Sequence, residues 1–94
     1  ASEFLEVNTV SVRPGGKVRL AARGLPPQAL VSIYRGANRR SMTLVGEYRT
    51  NDLGELYAEA TVSRTADLGG VIFAAATRGD YLYSPRVSVE KIRN

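Results

Sequence analysis

Apolar and polar residues alternate with a period of two along most of this chain, and a helical period is hard to find. Val18, Leu20 and Ala22 alternate with Lys17, Arg19 and Arg23, which predicts a strand with one wet face. Leu56, Ala58, Ala60 and Val62 alternate with Tyr57, Glu59 and Thr61 in the same way. Val71, Phe73 and Ala75 stand in a run apolar enough for a central strand, and Val87 and Val89 alternate with Arg86, Ser88 and Glu90. Val31 and Ile33 supply a further short strand, and residues 43–50 a less regular one. At the front, Leu5, Val7, Val10 and Val12 change parity between Val7 and Val10, as a bulge or a switch between sheets requires.

Turn chemistry separates these runs. Arg13-Pro14-Gly15-Gly16, Gly24-Leu25-Pro26-Pro27, Leu68-Gly69-Gly70 and Arg78-Gly79-Asp80 each fall between predicted strands, and Asn51-Asp52-Leu53-Gly54 reads as a hairpin turn. The predicted strands cover residues 4–12, 17–23, 29–35, 43–50, 55–63, 71–77 and 81–91. About seven short strands with turns every ~8–12 residues describe an antiparallel β-sandwich. The expected core is Val18, Leu20, Val31, Ile33, Leu56, Val62, Val71, Phe73, Val87 and Val89. Repeats, linkers and low-complexity segments are absent, so residues 1–94 are expected to form a single unit, with Ala1 to Phe4 a possible remnant of cloning.

Composition narrows the chemistry. The 94 residues include no His, no Cys and no Trp. That excludes a Ser-His-Asp triad, a thiol nucleophile and the usual zinc ligands, so no enzymatic activity and no cofactor are expected. The 13 Lys and Arg outnumber 9 Asp and Glu, for a net charge of +4. The cations are scattered, with Arg39-Arg40 the one adjacent pair, and they do not interleave with aromatics in a recognisable binding motif. This pattern argues for solvated strand faces and against nucleic acid. No stretch approaches the ~20 apolar residues of a membrane-spanning helix, so no membrane insertion is expected.

The turns and strands together resemble a known family. Val12-Arg13-Pro14-Gly15-Gly16-Lys17-Val18, followed by Gly24-Leu25-Pro26-Pro27-Gln28-Ala29-Leu30-Val31, is similar to the opening of bacterial immunoglobulin-like modules. Those read Pro-Gly-x-x-Val and then Gly-Phe-x-Pro-Gly-x-x-Val. Thr50-Asn51-Asp52-Leu53-Gly54-Glu55-Leu56 resembles their Thr-Asp-x-x-Gly-x-Phe turn, and Gly70-Val71-Ile72-Phe73-Ala74-Ala75 their Gly-Tyr-x-Val-x-Ala strand. Two positions depart. Gln28 replaces a glycine, so that turn is expected to use another conformation, and Val71 replaces an aromatic. The resemblance implies an all-β, immunoglobulin-like antiparallel sandwich in an extracellular, cell-surface or virion protein, acting as spacer, adhesion unit or assembly subunit. It brings no catalytic residues.

Function must then come from a site. Arg78-Gly79-Asp80 at a predicted hairpin tip offers an Arg and a carboxylate of the kind integrins recognise, or simply good turn chemistry. The segment Gly36 to Ser41 reads as an exposed loop whose Arg39 and Arg40 either grip an anion or stay solvated. Tyr34, Tyr48, Tyr57, Tyr81 and Tyr83 fall largely at outward or strand-end positions, as cross-strand pairs or, for Tyr81 and Tyr83 especially, as an interface or sugar platform. Asn51, Asp52 and Glu55 give a poor match to a calcium loop. Glu47, Glu55 and Glu59 imply no glycosidase pocket. The segment Glu3 to Val12 is the first edge strand, or alternatively a strand donated to a neighbouring copy. The expected partners are neighbouring domains or subunits, with a homo-oligomer through edge strands and binding of a glycan or anionic polymer as alternatives.

Overall fold

The computed structural model describes residues 3–90, so Ala1, Ser2 and the predicted strand end at Lys91 lie outside the described residues. The chain forms an all-β sandwich of two antiparallel sheets. One holds β1 (Glu6–Val7), β3 (Lys17–Ala22) and β6 (Leu56–Thr61) in the order β1-β3-β6. The other holds β5 (Ser41–Arg49), β4 (Leu30–Asn38), β7 (Ile72–Thr77) and β8 (Asp80–Tyr83) in the order β5-β4-β7-β8. A short parallel pair, β2 (Ser11–Val12) with β9 (Ser88–Val89), closes one side. The connections β3 to β4, β5 to β6 and β6 to β7 each cross between the sheets, which is the immunoglobulin-like arrangement.

β3 and β6 obey the alternation throughout. Along β3 Val18, Leu20 and Ala22 point inward, and along β6 Leu56, Ala58 and Ala60 do the same. All ten positions expected in the core are buried, with Phe73 the largest side chain fully enclosed. Leu5 joins them at 0% exposure from the far front of the chain. Val10, at 76%, does not: it occupies the crossing between β1 and β2, where the first strand leaves one sheet for the other side of the sandwich.

That crossing corrects two predicted boundaries. Residues 4–12 are two short strands, because β1 pairs with β3 while β2 pairs with β9. Residues 81–90 likewise divide. β8 pairs with β7, Ser84 keeps one bond from its amide to the Phe73 carbonyl while its hydroxyl accepts the Phe73 amide, and Val87 bridges Val71 before β9 begins. Whether an extended segment stays with one neighbour depends on distant partners, which local alternation does not encode.

Other expectations change as well. Asn51–Gly54 is a tight turn, but it links β5 in one sheet to β6 in the other and so is no hairpin. Gly54, at φ 73, is held against the Leu25 backbone, where an added Cβ would lie 2.1 Å from a carbonyl oxygen. Gln28 adopts a left-handed conformation (φ 54) that favours glycine, so glutamine bears the strain at this turn. Its side-chain amide donates to Asp52, and Arg49 donates to its carbonyl at 2.8 Å.

The described chain runs from one pole of the molecule to the other. Leu5 and Glu6 lie beside Ala21 and Tyr83, toward the pole made by the turns at residues 24–28, 51–54 and 78–79. Val89 and Glu90 lie against Val12 and Gly69, at the pole made by residues 13–16, 62–70 and the β4–β5 tip. The molecule measures 45 × 24 × 20 Å.

Candidate functional site

The segment read as an exposed loop, Gly36 to Ser41, is mostly strand. Asn38 pairs with Ser41, leaving Arg39 and Arg40 alone as a two-residue hairpin tip. Ala37 is skipped in the register, and that bulge folds the returning strand over Gly36. Gly36 is buried, paired with Met42 on one side and Ile72 on the other, and a Cβ there would fall 1.8 Å from the Ser41 carbonyl oxygen. Asn38 Oδ1 accepts the Arg40 amide at 2.8 Å, and Arg86 donates to the Ala37 carbonyl at 2.7 Å. The tip is therefore held at a defined angle.

That angle carries Arg39 back across the sheet. Its guanidinium lies 4.1 Å from the centre of the Tyr83 ring, and Tyr83 in turn stacks on Tyr81, with ring centres 6.1 Å apart and planes inclined by 12°. Arg39, Tyr83 and Tyr81 so form a short ladder along the outer face of the four-stranded sheet. Register explains the floor beside it. Leu44, Tyr34, Ala74 and Tyr83 are cross-strand neighbours in a single row. The small Ala74 between two tyrosines leaves a depression of about 300 Å³, walled by Tyr34, Tyr81, Tyr83, Met42 and Arg39. Tyr81 is 56% exposed.

The other expected residues separate from this cluster. Arg78-Gly79-Asp80 does form a hairpin tip, between β7 and β8, with Thr77 paired to Asp80. It lies at the opposite pole from Arg39 and Arg40. Arg78 (φ 52) and Gly79 (φ 84) both take positive φ, the geometry of a two-residue turn matched to strand twist. Tyr48 points inward instead of outward: it packs on the core and donates its hydroxyl to the Glu59 carbonyl at 2.7 Å, tying β5 to the edge of the other sheet. Tyr57 is exposed on the outer face of the three-stranded sheet, beside an open apolar groove of about 570 Å³ with Ala21 and Arg19.

The oxygens once considered for calcium are spent on the turn itself. Asn51 Oδ1 accepts the amides of Leu53 and Glu55, Asn51 donates its side-chain amide to Glu55, and Asp52 accepts from Gln28. Glu59 faces Lys17 at 3.5 Å on an open strand face.

Arg35 was read among solvated cations, and the structure turns it inward. It occupies an interior register on β4, opposite Phe73, with its Nε 2.7 Å from Asp67. Its hydrogen bond is made elsewhere, from Nη1 to the Thr61 carbonyl, and the buried Nε meets Asp67 as an ion pair without hydrogen-bond geometry. Asp67 accepts the Ser63 amide at 2.6 Å. The pair fastens the connection between β6 and β7 under one pole. An acidic residue in a loop carries no sequence signal for this role.

No family model matches the chain, and no curated protein matches it.

Proposed function

We propose that this domain is a non-catalytic, immunoglobulin-like module that spaces and connects parts of a larger protein and makes contacts through its outer faces. The resemblance to bacterial immunoglobulin-like modules adds that the protein is secreted, on a cell surface or on a virion. The observation that carries the spacing role is the path of the chain, which enters near one pole of a 45 Å body and leaves at the other. A domain whose ends meet on one side hangs from a chain as a branch, whereas one threaded from pole to pole extends it.

Strand donation finds less support. β1 and β2 are engaged within their own sandwich, with the Leu5 amide donated to Tyr83, the Asn8 amide to Arg19, and the Val10 and Val12 carbonyls accepting from Ser88 and Glu90. Removing this segment also removes Leu5 from the core, so a truncated chain tests folding before it tests assembly.

The direct test is two copies of the chain joined tail to head, measured by small-angle X-ray scattering. The longest dimension of the pair is expected to exceed that of the single chain by most of its 45 Å length. A pair hardly longer than one copy would overturn the spacing role.

A further inference from the structure

The ladder of Arg39, Tyr83 and Tyr81 is a constructed feature that the spacing role does not use. Four observations describe it. Arg39 stands on a hairpin tip whose backbone is held by Asn38, and its guanidinium lies over Tyr83, 4.1 Å from the ring centre. Tyr34 and Tyr83 flank Ala74 in one cross-strand row, so the depression between them follows from residue size at fixed register. Among the described residues, no hydrogen bond or ion pair engages the Arg39 guanidinium or the hydroxyls of Tyr34, Tyr81 and Tyr83. The volume, about 300 Å³, is at the small end of ligand sites, suited to a single ring-sized group or two.

We infer that this depression binds an anionic saccharide, with a sugar ring on the tyrosines and its carboxylate or sulfate on Arg39. The C–H face of a pyranose is apolar and flat enough to lie on a tyrosine ring, while its hydroxyls reach phenol groups at the rim. An apolar floor with a few convergent polar groups is the usual form of a small-molecule site. The guanidinium presents its donors in a rigid fork that matches a two-oxygen anion, and the contact with Tyr83 holds that fork in place before a ligand arrives. A neutral sugar would satisfy the rings and leave the guanidinium in water. An extended acidic peptide would satisfy the guanidinium but present no flat ring to the tyrosines. Arg40, next to Arg39, and Arg86, which donates to the Ala37 carbonyl, add positive charge near the hairpin tip.

The test is titration of the ¹⁵N-labelled chain, followed by NMR through backbone amides and arginine Nε–H signals. The probes are a tetrasaccharide of alternating glucuronate and N-acetylglucosamine, its carboxyl-reduced neutral counterpart, a sulfated neutral oligosaccharide of the same length, and a capped tetraglutamate peptide. The glucuronate or the sulfated probe is expected to shift Arg39, Tyr34, Ala74 and Tyr83 together, and the tighter of the two identifies the anion. The neutral counterpart should bind at least about tenfold more weakly, and Arg39→Gln should lose the same factor with an unchanged melting temperature. Arg39→Lys, which keeps the charge without the fork, should recover only part of it. Equal binding by the neutral sugar, equal binding by the peptide, shifts spread over both poles, or no shift at ~10 mM probe would each overturn the inference. Scattering from the linked pair does not depend on this face, so the two readings fail separately.

Discussion

Arg35 and Asp67 allow a quantitative test of what holds one pole together. Their side chains are 19% and 9% exposed, and the ion pair measures 2.7 Å. Truncating Asp67→Ala leaves a guanidinium largely cut off from water with only the Thr61 carbonyl for company, and deprives the Ser63 amide of its acceptor. Breaking one side of a buried pair costs about 3–5 kcal/mol, and because Arg35 keeps some access to solvent the lower end, about 3, applies. In a domain of this size that corresponds to a melting temperature lower by ~12–24 °C. Arg35→Met leaves the carboxylate with the Ser63 amide and should cost about 2–3 kcal/mol.

The double variant Arg35→Met/Asp67→Ala removes both charges at once. It should be more stable than the sum of the single losses by about 2 kcal/mol, because neither partner is left stranded. Urea titrations followed by circular dichroism give all four corners of the cycle. The m-value should stay constant, since the folded surface does not change. Repeating the cycle in 1 M salt should reduce the coupling little, whereas an exposed pair would be screened. A coupling below about 0.5 kcal/mol, or an Asp67→Ala variant as stable as the parent, would show that the contact is incidental and that the β6–β7 connection is fastened by other means.

Two further outcomes follow from the core and the turns. Phe73, with no exposed surface, sits between the sheets, so Phe73→Asp should abolish the folded state; a cooperative melt at the parent temperature would contradict the core assignment. Arg78 holds φ 52 at a hairpin position that favours asparagine, so Arg78→Asn should stabilise by about 0.5–1 kcal/mol, and a lower midpoint in urea would mean that arginine at this tip makes contacts that offset its strain.

Period-two alternation identified the core because it reports only which face of a strand is buried, and each of Val18, Leu20, Val31, Ile33 and Phe73 needs nothing more. It is silent on which strand lies alongside. The turn at Asn51–Gly54 has the same local chemistry whether the next strand joins the same sheet or the opposite one. Gly36 next to Ala37, Asn38 and two arginines has the composition of a loop, and only the bulge that closes β5 over it explains a buried glycine there. Gln28 shows the converse: glutamine stands in a left-handed conformation that favours glycine, with Asp52 and Arg49 bonded to the strained residue. The candidate site was half legible. Arg39, Tyr81 and Tyr83 stood out by residue type, but their meeting depends on the angle of one hairpin, and Tyr34, Met42 and Ala74 were set beside them by register alone.

Under the proposed spacing role, the placement of the depression matters as well. The two poles take the chain in and out, while the depression lies on the side of the four-stranded sheet. A neighbour stacked at the pole of residues 24–28, 51–54 and 78–79 leaves the site open, whereas one at the other pole meets Arg39 and Arg40 at the β4–β5 tip. The other way to lengthen an array, adding a strand to an edge, is obstructed on the longest edge available. β5 is bulged at Val45, carries Glu47, and is drawn toward the opposite sheet by the Tyr48–Glu59 hydrogen bond. Bulges and charges are the devices by which edge strands avoid further pairing. Growth by covalent threading from pole to pole follows the path of the chain and keeps the tyrosines on the exposed side, with Arg39 close to the junction, and growth by edge pairing uses neither feature.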